Sequence, residues 1–252
     1  NATLSFTTGA SVTSTAGSGT DIAGGSLAIE TAGSWGLATT PITSSVSSLS
    51  FASSLPANTT DNSHLYLNEV DDLLVTSLTQ SDNPSSQTEI TTGGNLDVRT
   101  AVSAGRLDLV SGGTLDIGTA TAERAELWAQ GNIGPAASIR LRVGELDAYS
   151  QTGSADITLF GRDSTIERID LQGDQAATLR LVVESGDTTI RDTGIRTNGG
   201  AQTLSFAEDV TMAASTAIQS TTGAIEMDVD GDVTISRIET GSAGANALDL
   251  TF

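Results

Sequence analysis

The residues of this chain best suited to chemistry are carboxylates. In "DVDGDVTISRIE" (228–239), Asp228, Asp230, Asp232 and Glu239 occupy positions 1, 3, 5 and 12 of a twelve-residue calcium loop. Oxygen ligands at that spacing could wrap a divalent cation. Position 6 is Val233, where the bend of such a loop needs Gly, and the flanks read as strands instead of helices. The same residues therefore also read as a solvated turn between "IEMDV" and "VTIS".

A second group could act on sugars. Trp128 falls on the outward side of an alternating stretch, where its ring could stack on a pyranose or be covered by a loop. Asp71 and Asp72 form an adjacent carboxylate pair. Acid–base catalysis would need such carboxylates clustered with His or basic partners. The single His64 falls in "SSLPANTTDNSH" (53–64), which reads as an inserted loop off the strand pattern, and a Ser nucleophile would have only that His to serve it. The expectation is a protein that is not an enzyme, with Trp128, Asp71 and Asp72 as a ligand surface and no cofactor unless calcium binds at 228–239.

Composition sets the frame that must position these residues. Among 252 residues, 37% are apolar and 4% aromatic, so a core of large side chains is excluded. Ser and Thr make up roughly a quarter, with 27 Gly and 4 Pro, a bias toward small residues. The net charge is −20, and all 11 basic residues are Arg. Nucleic acid and anionic membrane surfaces call for a basic face and are poor partners. Without Cys there is neither a disulfide framework nor a thiol site. No run of 18 apolar residues offers a membrane-spanning helix.

The apolar residues alternate, as in Ile139, Leu141 and Val143 of "SIRLRVG", which marks short strands bounded by Gly, Ser, Asn and Asp. Leu96-Asp97-Val98, Leu107-Asp108-Leu109 and Leu115-Asp116-Ile117 repeat one unit: two aliphatic residues pointing in and an Asp pointing out. A longer period lies above this. Leu96, Leu115, Ile139, Ile157, Leu179, Leu204, Ile225 and Leu248 follow one another at gaps of 18–25 residues. Leu107, Leu127, Leu146, Ile169, Ile190, Val210 and Val233 interleave at a similar step, and Ile195, Ile218 and Ile238 form a third class. Two ladders with a step of about 21 residues predict an all-β, single-stranded parallel β-helix, a β-solenoid whose coils bury their inner faces by stacking. Roughly twelve coils would make a rod about 55–60 Å long. The solenoid is expected to run through 1–252 as one unit, with inserted loops near 53–64 and 79–88. The chain begins "NATLSF" and ends "ALDLTF", both within the pattern, so it is expected to be a slice of a longer repetitive chain.

Stacking raises an electrostatic question. Asp97 over Asp116, and Asp147 over Asp170, would place like charges on adjacent coils, which is unfavourable. An offset in register or a bridging cation would relieve it, and the offset is the simpler expectation.

"GNIGPAASIRLRVGELDAYSQTGSADITLF" (131–160) and "AIQSTTGAIEMDVDGDVTISRIET" (217–240) resemble large secreted bacterial adhesins of the filamentous-haemagglutinin type. The shared features are Gly-x-Ile-Gly, a spacer, an aliphatic strand, a Leu-x-Ala strand and a Gly-bounded strand. That resemblance implies a right-handed coil, export to the bacterial surface or beyond, and a role as a stalk, adhesin or filament. Its partners would be further coils of the same chain, end-to-end copies of itself, or host or matrix glycans. The alternative is a carbohydrate-binding or carbohydrate-cleaving parallel β-helix. The Gly-His-Gly and Arg-Ile-Lys signatures of pectin-degrading β-helices are missing, and a chain without Lys cannot carry the second.

Overall fold

A computed structural model describes residues 2–15, 19–54, 63–80, 83–103, 105–173, 177–241 and 248–251. Alternating β-branched and aliphatic residues make short strands, and Gly, Ser and Asn end them. Among the described residues, twenty-one strands join one sheet, all strand-to-strand pairings are parallel, and there is no helix. The sheet winds as a β-solenoid of about ten turns. At ~4.8 Å per coil this is a rod of about 50 Å. The count falls below twelve because most coils exceed 21 residues: the step is 26 residues from Ser48 to Leu74 and 24 from Ala155 to Leu179, and only the middle coils are shorter, 18 from Leu115 to Ile133.

The interior consists of registered ladders. Leu96, Leu115, Ile133, Ala155, Leu179, Gln202, Ile225 and Leu248 lie in one column. Ile139, Ile157 and Leu204, expected in this column, stand two residues further along, with Leu181, Met227 and Leu250. Inward positions recur every two residues, so the slip leaves them facing the core. In the late coils the third class is distinct from the second: Ile195, Ile218 and Ile238 form one column and Val210 and Val233 another, and upstream the third column runs on as Ile169, Ala148, Leu127 and Leu109. Burying each Leu or Ile side chain contributes about 1.5–3 kcal/mol.

Polar residues finish the corners. After the second ladder, Thr92, Ser111, Ala129, Ser150, Leu171, Thr197, Ser220 and Thr240 stack in register. Most of these hydroxyls are buried, and each bonds backbone at the bend. Ser111 Oγ shares its one O–H between the carbonyls of Gly94 (2.9 Å) and Thr114 (2.7 Å), while Gly113 N–H donates to Ser111 Oγ (3.2 Å). Gly153 N–H and Gly223 N–H donate in the same way to Ser150 and Ser220, at 2.9 Å each. The next coil packs too closely on these bends for larger residues: a Cβ at Gly200 would strike the carbonyl of Ala177. The Ser, Thr and Gly bias thus satisfies backbone groups that the turns would otherwise leave unpaired.

Of the first expected loop, residues 55–62 lie outside the described residues; strand Ile42–Ser53 precedes them and strand His64–Glu69 follows. Of the second, 81–82 lie outside them, between strands Leu73–Thr79 and Gln87–Thr92.

Leu141 is fully buried and registers with Ala120 and Leu159 on the coils either side. Leu141→Ala should cost about 2–5 kcal/mol in urea unfolding. A cost below about 1 kcal/mol would be incompatible with a stacked core at this point.

Candidate functional site

The strands Gln87–Thr92 and Arg106–Ser111, residues 124–129 and 145–150, and strand Ser164–Leu171 stack in that order. Alternation turns every second side chain outward, and registration lines these up. Glu89, Asp108, Glu126, Asp147 and Arg168 form the middle column. Gln87, Arg106, Arg124 and Glu145 run along one side of it, and Val110, Trp128, Tyr149 and Asp170 along the other.

Four carboxylates in successive coils would repel at ~4.8 Å spacing unless cations intervened. Arginines supply them. Arg106 donates from Nε to Asp108 (2.7 Å) and from Nη2 to Glu126 (2.6 Å). Arg124 donates from Nε to Glu126 (2.9 Å) and pairs with Glu145 (3.2 Å) and Glu167 (3.3 Å). Arg168 holds Asp147 through two bonds of 2.7 and 3.0 Å. Gln87 Nε2 donates to the other Asp108 oxygen at 3.0 Å. Glu89, at the head of the column, joins none of these ion pairs.

The side column forms an aromatic wall. Trp128 and Tyr149 stack with centroids 6.2 Å apart and planes inclined by 11°, and the Arg168 guanidinium lies 5.8 Å from the Tyr149 ring centre. Both rings are half-buried. Together the columns border an open groove of about 510 Å³. Burial pushes the Asp108 carboxyl above its ordinary range, and the Arg106 hydrogen bond offsets this only in part. Burial, then the charge of Asp108, raises Glu89. Tyr66, in register with Glu89, is raised by burial and then by Glu89.

The expected site residues fall in several places. Trp128 lines this groove. Asp71 and Asp72 sit apart from it, at an exposed bend bordering a different depression with Ser45, Ser47 and Gly94. Asp72 Oδ1 accepts the Asn95 N–H at 2.6 Å, and Asn95 Oδ1 in turn accepts the Thr114 N–H at 2.8 Å, so Asp72 closes a corner. His64 is not in a loop off the pattern: it opens the strand His64–Glu69 in register with Gln87. The strand pattern resumes one residue earlier than 53–64 suggests, and Ser53 still belongs to the preceding strand. Burial lowers the His64 pKa.

The calcium spacing is not realised as a loop. Asp228 lies in strand Ile225–Val229, Asp230 and Asp232 at the following turn, and Glu239 in strand Ile238–Thr240, where it accepts from Gln219 at 3.2 Å. Asp232 N–H donates to Asp209 Oδ1 at 2.8 Å, another corner closure. Among the described residues no three His, Cys, Asp or Glu side chains stand together as a metal site.

The two expected like-charge stacks divide. Asp97 and Asp116 are in direct register, contrary to the expected offset. Asp97 is exposed, and Asp116 is raised by burial, eased by the Ala136 N–H, and raised further by Asp97. Asp147 does avoid Asp170: an irregularity at Glu167 shifts the register so that Arg168 stands opposite Asp147 and Asp170 opposite Tyr149.

Glu89, Arg106, Glu126, Asp147, Tyr149 and Arg168 were not foreseen as a group. The signal is present in "RLDLVS" (106–111), "RAELWA" (124–129) and "ELDAYS" (145–150), which superpose as acid over acid over acid and Val over Trp over Tyr. Pairing Asp108 with Trp128 instead of Glu126 hides it. No family model, no curated protein and no solved structure matches the chain.

Folding raises the Glu89 pKa, so the folded chain holds this proton more tightly than the unfolded one. The resulting contribution to stability is full below the ordinary Glu range and is lost as pH climbs through the raised value. Glu89→Gln removes the half-buried charge and its repulsion from Asp108. The variant should melt above the parent at pH 7, with the gap closing as pH falls through the carboxylate range. An equal or lower melting temperature at pH 7 would contradict it.

Proposed function

We propose that the chain is a non-enzymatic structural segment of an exported bacterial surface protein: a length of stalk, adhesin or filament. The β-solenoid is consistent with such a role. The observation that carries the reading is the condition of the rod's two edges. Phe6, in edge strand Thr3–Thr8, stacks on Ile29 and is 39% exposed where Ile29 is 1%. Leu248, in edge strand Leu248–Thr251, stacks on Ile225 and is 44% exposed where Ile225 is 0%. Apolar ladder positions and open backbone edges of this kind are templates for another strand.

We read these exposed edge strands as surfaces on which copies of the chain could stack end to end. The filamentous-haemagglutinin resemblance points the same way, as does a net charge of −20, which suits a soluble rod and disfavours nucleic acid and anionic lipid. Neither calcium nor another cofactor is needed for this role. Carbohydrate as a partner is favoured by one specific observation, the aromatic and carboxylate groove.

For the stacking version, the purified chain should grow in apparent mass with concentration in sedimentation velocity, as elongated multiples of 25.6 kDa. Leu248→Lys, at an already exposed edge position, should suppress that growth while leaving the β-sheet circular dichroism intact. A chain that stays monomeric up to millimolar concentration would exclude end-to-end stacking.

A further inference from the structure

We propose that the groove beside Trp128 and Tyr149 binds a linear, neutral oligosaccharide lying along the rod axis. Shape is the first ground. The groove is built from one residue per coil, so it is elongated by construction: from Glu89 to Arg168 there are four coil steps, about 19 Å. Its volume of about 510 Å³ suits a short oligomer.

Charge is the second ground. Asp108, Glu126 and Asp147 are each already paired with an arginine, so a polycation would have to compete with guanidinium groups in place. A polyanion would meet four carboxylates against two guanidinium groups on the lining. What remains is a set of planar hydrogen-bonding groups, held rigid by their mutual bonds, with acceptor capacity to spare. Such groups match hydroxyl donors and acceptors on a ligand without formal charge. Glu89 adds a carboxylate that no ion pair among the described residues occupies.

The aromatics are the third ground. The chain holds only 2 Trp and 2 Tyr, and one of each is stacked half-exposed here on the outer face, where no packing role inside the coil requires it. Together they give an apolar wall against which C–H faces of a sugar can lie while its hydroxyls turn to the carboxylate column. An ion-pair network serving only to calm a stacked acidic column would not need that wall, nor an unpaired Glu89. The inference concerns a ligand and does not depend on whether the rod stacks end to end.

The intact chain can be titrated calorimetrically with cellopentaose, chitopentaose, maltopentaose and mannopentaose, with spermine and a heparin fragment as charged probes. At least one neutral probe should bind more tightly than either charged one. Trp128→Ala and Tyr149→Ala should each weaken it about tenfold. Glu89→Gln, which breaks no ion pair, should weaken it several-fold with the fold retained, and so decides the matter if the aromatic variants unfold. Binding of no neutral probe, tighter binding of spermine or heparin, or affinity unchanged in correctly folded variants would overturn the proposal.

Discussion

In a parallel solenoid the nearest non-bonded neighbour of each side chain is its counterpart one coil away. Registration at ~4.8 Å leaves no freedom to choose another partner, so each position must tolerate a copy of itself. Aliphatic residues meet this condition easily, and the columns from Leu96 to Leu248 and from Leu109 to Ile238 are nearly all Leu, Ile, Val or Ala. Large aromatics meet it poorly, which accounts for their 4% share. Small hydroxyls meet it where the chain turns, because Ser and Thr can bond both their own bend and the bend of the coil before, as Ser111 does with Thr114 and Gly94.

Charges cannot meet it unaided. Two solutions occur on the outer face. One is local: the irregularity at Glu167 advances the register by one residue, so Arg168 and not another acid stands over Asp147. The other is collective: Arg106 and Arg124 each bind acids on more than one coil, tying coils together as they neutralise them. Exposed pairs of this kind contribute little one by one, about 0–1 kcal/mol, but a connected network loses less entropy per bond. Asp97 over Asp116 has neither solution and relies on solvent and one backbone N–H.

The architecture was legible in the sequence because its cause is periodic. The step of about 21 residues and the inward alternation both survive small errors of register, so assigning Ile139 and Leu204 to the wrong column did not change the fold. The site was much less legible because it is a property of register itself. A slip of two residues keeps Trp128 on the outside but changes its neighbour from Val110 and Tyr149 to Asp108 and Asp147. Asp72 and Asp232 show a different limit. In one dimension these turn acids look like ligands, whereas in three the Asp72 carboxylate accepts the Asn95 N–H one coil on, and Asp232 gives its own N–H to the Asp209 carboxylate one coil back.

The same constraint explains why a groove forms at this place along the rod. Where Arg faces Asp and Trp faces Tyr, adjacent coils differ in what they present, and the face becomes a mosaic of acid, base and ring. Identical coils would give a uniform stripe able to bind only by repetition. Between Glu89 and Arg168 the repetition is broken on the outer face alone, while beneath it Leu107, Ala125, Leu146 and Ile166 stay in register and fully buried. The core is thus free of the demands made on the surface. A solenoid can vary its exterior residue by residue because its stability comes from the columns on the other side of the same strands.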